Sequence, residues 1–180
     1  TGSMARLAGV KLGRRLFIDH LKERLAGQPV CVVSPDPGGV KRAQLFREML
    51  EARLGRPVGQ AFMDKRRSAG VVSGELLVGD VEGTLAIVVD DLISSGGTMA
   101  RAAAALRGHG ARSVICCAAH GLFTGAAEEL LGTQSLDRII ISDSFPPFRL
   151  SSAFAASRCE IVSAAQLFAG CIRCLEGDGS

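Results

Sequence analysis

"AIVVDDLISSGGT", residues 86–98, decides how the rest of the chain is read. Ala86 to Val89 are all apolar, which marks a buried strand. That strand runs into two adjacent carboxylates, Asp90 and Asp91. Ser94, Ser95, Gly96, Gly97 and Thr98 follow closely. Neighbouring acids repel and need something in return. Sugar hydroxyls donate to carboxylates, and a divalent cation bridges or screens them. The Ser94–Thr98 loop opens a predicted helix. Its glycines allow close approach to backbone N–H groups, and a helix start favours phosphate. A turn that only caps a helix does not require this whole series. Carboxylates for hydroxyls and amides for phosphate together describe a pentose 5-phosphate site.

Working outward, residues 12–26 carry apolar positions at helical spacing, and "VCVVS" (30–34) is a β-branched run ending in Pro-Asp-Pro-Gly-Gly. Helical periodicity returns over 40–54, "QAFMD" (60–64) predicts a strand, and 66–75 reads as a mobile loop or hairpin with two glycines. Further strands are expected at 85–90, 113–120, 137–143 and 159–163. Helices are expected at 98–109, 125–132 and 164–175. Continuous apolar strands alternating with amphipathic helices predict an α/β fold, a parallel sheet covered on both faces. Ligands in such sheets bind beyond the strands' carboxyl ends. Asp36, Asp90, Asp91, His120 and Asp143 fall there.

The 180 residues suit one domain, with 47% hydrophobic and 22% charged residues and a net charge of +3. That charge is too small to imply nucleic acid. The local clusters Lys41–Arg42 and Lys65–Arg66–Arg67 hint at an anionic small ligand. No apolar run reaches the ~18–20 residues of a membrane span, and the first residues lack the apolar core expected of a secretory signal. Of six cysteines, Cys31, Cys116 and Cys117 sit in apolar strands, with Cys116 and Cys117 expected on opposite faces. Cys171 and Cys174 form a CxxC with no second ligand pair, so the chain is read as a reduced, cytoplasmic protein. Thr1–Gly2–Ser3 reads as a cloning remnant, 4–27 as a lead-in helix, and 28–180 as the domain.

Residues 86–98 closely resemble the phosphoribosyl pyrophosphate (PRPP) motif of type I phosphoribosyltransferases: four apolar residues, two acids, variable residues, then Ser/Thr, a small residue, Gly and Thr. "VVSPDPGGVKRA" (32–43), "MDKRRS" (63–68), "LLVGDVEGTLAIVVDD" (76–91), "AAHGLFTG" (118–125) and "ISDSFPP" (141–147) resemble, in order, segments of ribose-phosphate diphosphokinase, or PRPP synthetase. The resemblance spans roughly residues 28–175 and matches the C-terminal half of that enzyme. It implies a type I phosphoribosyltransferase-like fold with a flexible catalytic loop. It also implies transfer of diphosphate from Mg-ATP to the 1-hydroxyl of ribose 5-phosphate, giving PRPP and AMP. Asp90, Asp91, Ser94, Ser95, Gly96, Gly97 and Thr98 would hold ribose 5-phosphate. Asp36, Gly38 and Gly39 would hold the diphosphate of ATP, with Asp36 meeting Mg²⁺ through its water shell. Lys65 and Arg67 match the catalytic cations of the flexible loop.

His120 and the Asp143–Ser144 turn are read first as structural. Lys41 and Arg42 stay open between packing, solvation and a ligand or interface role. Three departures stand out: the family's N-terminal half, which supplies a metal-ATP histidine, is expected to be absent; Ser94 stands where many members carry an acid; and Ser68 stands where a proline or charge is common. The family's dimers and hexamers imply a homo-oligomer for the full-length protein, with no nucleic-acid or membrane partner. A non-catalytic, synthetase-like regulatory subunit is one alternative. A nucleobase phosphoribosyltransferase is another, though no base-selecting hood is visible.

Overall fold

A computed structural model of the chain describes residues 13–68, 71–165, 168–170 and 172–173, with the side chains of 65–75 outside the description. Within these residues the strands are β1 (Val30–Ser34), β2 (Gly59–Ser68), β3 (Val71–Val78), β4 (Leu85–Ile93), β5 (Ser113–Gly121), β6 (Arg138–Ser142) and β7 (Cys159–Val162). They form one sheet in the order β3-β2-β1-β4-β5-β6-β7. Every pairing is parallel except β2 with β3. The helices are α1 (13–21), α2 (Val40–Leu54), α3 (Gly97–Gly108), α4 (Ala127–Leu131) and α5 (Ser152–Arg158), and residues 165, 168–170 and 172–173 are helical as well, within the span 164–175 expected from the sequence.

The period-2 alternation of each strand sorts the core into two layers. Val32, Ile87, Val89, Ile115 and Cys117 face α1 and α2, against Phe17, Leu21, Phe46 and Leu50. Val33, Val88, Cys116 and Ile141 face α3 and α4, against Met99, Leu106 and Leu131. Cys116 and Cys117 thus lie on opposite faces, as expected, and both are buried. The covered sheet explains why the central strands read as unbroken apolar runs.

Some boundaries differ from the sequence reading. α1 ends at 21 and the chain turns from there to Gly27, whose φ of 72° suits glycine. Cross-strand pairing carries β2 on through Ser68, opposite Val71 of β3, so residues 66–68 and 71–75 take the hairpin form of the expected loop or hairpin, with a register shift between Arg66 and Arg67. β3 is the antiparallel exception to the expected parallel sheet. α5 was not anticipated: its seven residues include none that is buried, so no apolar period marks it. Its start is capped instead, Ser151 Oγ accepting from Phe154 N–H. Residues 1–12, Cys171 and Cys174, on which the remnant, part of the lead-in and the CxxC readings fall, lie outside the described residues.

Candidate functional site

β1 and β4 are parallel neighbours, with Val33 opposite Val88, so their carboxyl ends open side by side. The first end delivers Asp36. Ser34, fully buried, donates its hydroxyl to the Asp36 carbonyl at 2.6 Å, and Gly39 N–H donates to Asp36 Oδ1 at 2.9 Å. These bonds wind Pro37–Gly39 into a 3₁₀ turn leading directly into α2. A Cβ on Gly39 would lie 2.5 Å from Ser34 Oγ and 3.2 Å from Arg42 Nη1. Only glycine fits between them.

The second end delivers the acids. Asp91 N–H donates to Asp90 Oδ1 at 2.8 Å. Arg42 spans the pair, with Nη1 2.5 Å from Asp90 Oδ1 and Nη2 2.9 Å from Asp91 Oδ2. Burial pushes the Asp90 carboxyl up to about 6, helped by its hydrogen bond with Asp91 and only partly countered by Arg42. Burial also acts to raise Asp91, but its bonds with Asp90 and the charge of Arg42 outweigh that and leave it below the ordinary value. The pair thus divides its roles, Asp90 holding a proton more readily and Asp91 the charge.

The Ser94–Thr98 loop closes the site. Asp36, Asp90 and residues 92–99 line one cavity of about 120 Å³. Gly96 has φ 80°, and a Cβ there would lie 2.6 Å from Leu131 Cγ, so both backbone and packing require glycine. No side chain caps α3 at Gly96, which leaves N–H groups of its first turn for an anion. The segment after β5 braces this loop: Leu122 N–H donates to Ile93 O at 2.9 Å and Thr124 N–H to Ser94 O at 3.0 Å.

A second recess, of about 80 Å³, joins Asp36 and Thr98 to Met63, Asp64 and Arg101. Asp64 immediately precedes Lys65 on β2, so the backbone of the expected cations runs on from the rim of this recess. The side chains of Lys65 and Arg67 lie outside the described ones. On its other side the acid pair walls a cavity of about 540 Å³, together with Arg14, Phe17, Lys41, Arg42, Leu45 and His120. His120 Nδ1 pairs with Ser144 Oγ at 2.7 Å. Asp143 accepts from Ser163 Oγ and Ala164 N–H, bonds that hold its carboxyl low and tie β6 to the chain after β7. That is the structural turn expected from the sequence.

Asp36, Asp90, Ser94, Ser95, Gly96, Gly97 and Thr98 therefore converge, with Asp91 beside Asp90 and Gly39 forming the turn at Asp36. Sequence reasoning left two contributors unassigned, Arg42 and the Thr124 brace. The position of Arg42, three residues after Gly39 and so still in the first turn of α2, was the available signal. Among the described residues no three His, Cys, Asp or Glu side chains gather as a metal-ligand set.

A family model described as the phosphoribosyl synthetase-associated domain matches residues 68–180. A ribose-phosphate pyrophosphokinase of Caldanaerobacter subterraneus subsp. tengcongensis is 39% identical over 162 residues, covering 89% of this chain and 48% of the relative. One from Hyphomonas neptunium is 40% identical over 136 residues, covering 75% and 42%. The phosphoribosylpyrophosphate synthetase of Mycobacterium smegmatis superposes with a TM-score of 0.76 at 32% identity, covering 92% of this chain and 51% of that one. The chain thus spans about half the length of the relatives it matches. The expected phosphoribosyltransferase-like architecture is present, and the chain belongs to the phosphoribosyl synthetase-associated domain family.

Proposed function

We propose that this chain is the ribose 5-phosphate- and diphosphate-binding half of a ribose-phosphate pyrophosphokinase. In the reaction the ribose 1-oxygen bonds to the β-phosphorus of ATP. The bond from that phosphorus to the bridging oxygen breaks, AMP departs with the oxygen, and the 1-hydroxyl loses its proton. The support is geometric: the Asp36 turn, the Asp90 end of β4 and the Ser94–Thr98 loop line a single small cavity. Asp90 and Asp91 accept from the ribose hydroxyls, the loop amides hold the 5-phosphate, and the Asp36–Gly39 turn holds diphosphate. Mg²⁺ carried on the phosphates fits one carboxylate and water, because this ion seldom needs an all-protein cage. Lys65 and Arg67 neutralise charge on the transferring group.

The test is AMP formation from Mg-ATP with and without ribose 5-phosphate. Sugar-dependent AMP supports the full reaction on this chain. Its absence, together with calorimetric binding of ribose 5-phosphate, supports a binding subunit instead. Absence of both would sink the assignment of the site.

A further inference from the structure

Arg42 lies where two halves of the site meet. It occupies the first turn of α2, beside the Asp36–Gly39 turn, yet its guanidinium reaches the end of β4, 48 and 49 residues away in sequence. It does not make a fork onto one carboxylate. One nitrogen meets Asp90 and the other meets Asp91. The Nη1 that contacts Asp90 is also the atom a Cβ on Gly39 would approach at 3.2 Å, so the same guanidinium lies against the turn.

Electrostatics makes this placement informative. The first turn of α2 contains Lys41 and Arg42 and no acid, although a helix start repels cations. Arg14 faces the same guanidinium, and its own charge is disfavoured by burial and then by Arg42. Asp90 and Asp91 offset this positive charge, and Arg42 in turn relieves repulsion between the two acids.

We propose that Arg42 is a positioning residue that couples the ribose acids to the diphosphate turn. The coupling rests on the function proposed above. With the ribose subsite empty, Arg42 is committed to the two carboxylates. Ribose hydroxyls donating to those oxygens compete for them and release part of the guanidinium's charge toward the turn, where diphosphate sits. Each ligand therefore strengthens the other's binding, and by linkage the factor is the same in both directions.

The experiment is calorimetry on the full chain, titrating ribose 5-phosphate with and without saturating Mg-diphosphate, for the native protein, Arg42→Gln and Arg42→Lys. The native chain should bind ribose 5-phosphate about fivefold or more tightly when diphosphate is present. Arg42→Gln should abolish that factor. Arg42→Lys keeps the charge but, as a point charge, cannot span both acids; it should retain binding and lose most of the coupling. Native-like coupling in Arg42→Gln would overturn the proposal. So would equal weakening of both ligands with the factor intact, the mark of a merely structural residue. A native chain that binds both ligands independently would also overturn it. A native chain that binds neither would overturn the underlying reading of the site instead.

Discussion

Ser94 Oγ stands 3.1 Å from Thr124 Oγ1, and the same two residues share a backbone bond from Thr124 N–H to Ser94 O. Ser94 is thus turned sideways onto the segment after β5. It works here as a loop fastener. Thr124→Val removes the hydroxyl contact and keeps the backbone bond. Urea unfolding should show a loss of about 1 kcal/mol or less, as befits one exposed hydrogen bond. Ribose 5-phosphate affinity should fall clearly. Unchanged affinity would mean the brace is irrelevant to the phosphate loop.

Gly96 answers to two constraints at once, a φ of 80° and contact with Leu131. Gly96→Ala should destabilise the fold by about 2 kcal/mol or more, from backbone strain and overpacking combined. Repeating it in a Leu131→Ala background should relieve the clash and leave the backbone share. Strict additivity of the two substitutions in denaturant melts would contradict this division.

The acid pair predicts a pH signature. Asp90 is raised from 3.8 to about 6, so between those values the folded chain binds more protons than the unfolded one. Stability attached to Asp90 is therefore full below its unfolded value and falls as pH rises toward 6. Each pH unit of displacement is worth about 1.4 kcal/mol. Asp91, held below 3.8, acts in the opposite sense and in a lower window, losing its contribution as pH falls through its folded value. Asp90→Asn should flatten the stability profile between pH 4 and 6 relative to the native chain. A parallel profile in that variant would show that other groups set the slope.

Lys65 and Arg67 follow the rim of the recess shared by Asp36, Thr98 and Asp64. Lys65→Ala and Arg67→Ala should each leave ribose 5-phosphate affinity within about twofold while reducing AMP formation tenfold or more, since neutralising the moving charge matters mainly in the transition state. Loss of affinity with turnover preserved would make them binding groups.

Much of this was readable from residues alone, for physical reasons. Strands covered on both faces advertise themselves as apolar runs, so β1, β4 and β5 were located closely from "VCVVS", "LAIVVD" and "SVICCAAH". The gathering of Asp90 with the Ser94–Thr98 loop was legible because these residues are close in sequence, at the end of one strand and the start of one helix. α5 was not, because a seven-residue helix with no fully buried residue carries too weak a period. The bridging by Arg42 was equally hidden. Its partners lie 48 and 49 residues away, and only the parallel pairing of β1 with β4 brings them within reach. The reach of β2 beyond residue 64 depended on cross-strand partners in β3, which a charged Lys-Arg-Arg run does not announce.

The adjacent thiols of β5 have a practical use. Cys116 and Cys117 are sealed beneath different helical layers, and burial drives both thiols well away from the reactive thiolate. A small alkylating reagent can reach Cys116 only when α3 and α4 lift, and Cys117 only when α1 and α2 do. The peptide carrying both then leaves a ledger of which side opened: a single label for one layer peeling away, two for the sheet laid bare. Comparing those populations with and without sugar phosphate would reveal whether ligand tightens the whole domain or only the layer behind the Ser94–Thr98 loop.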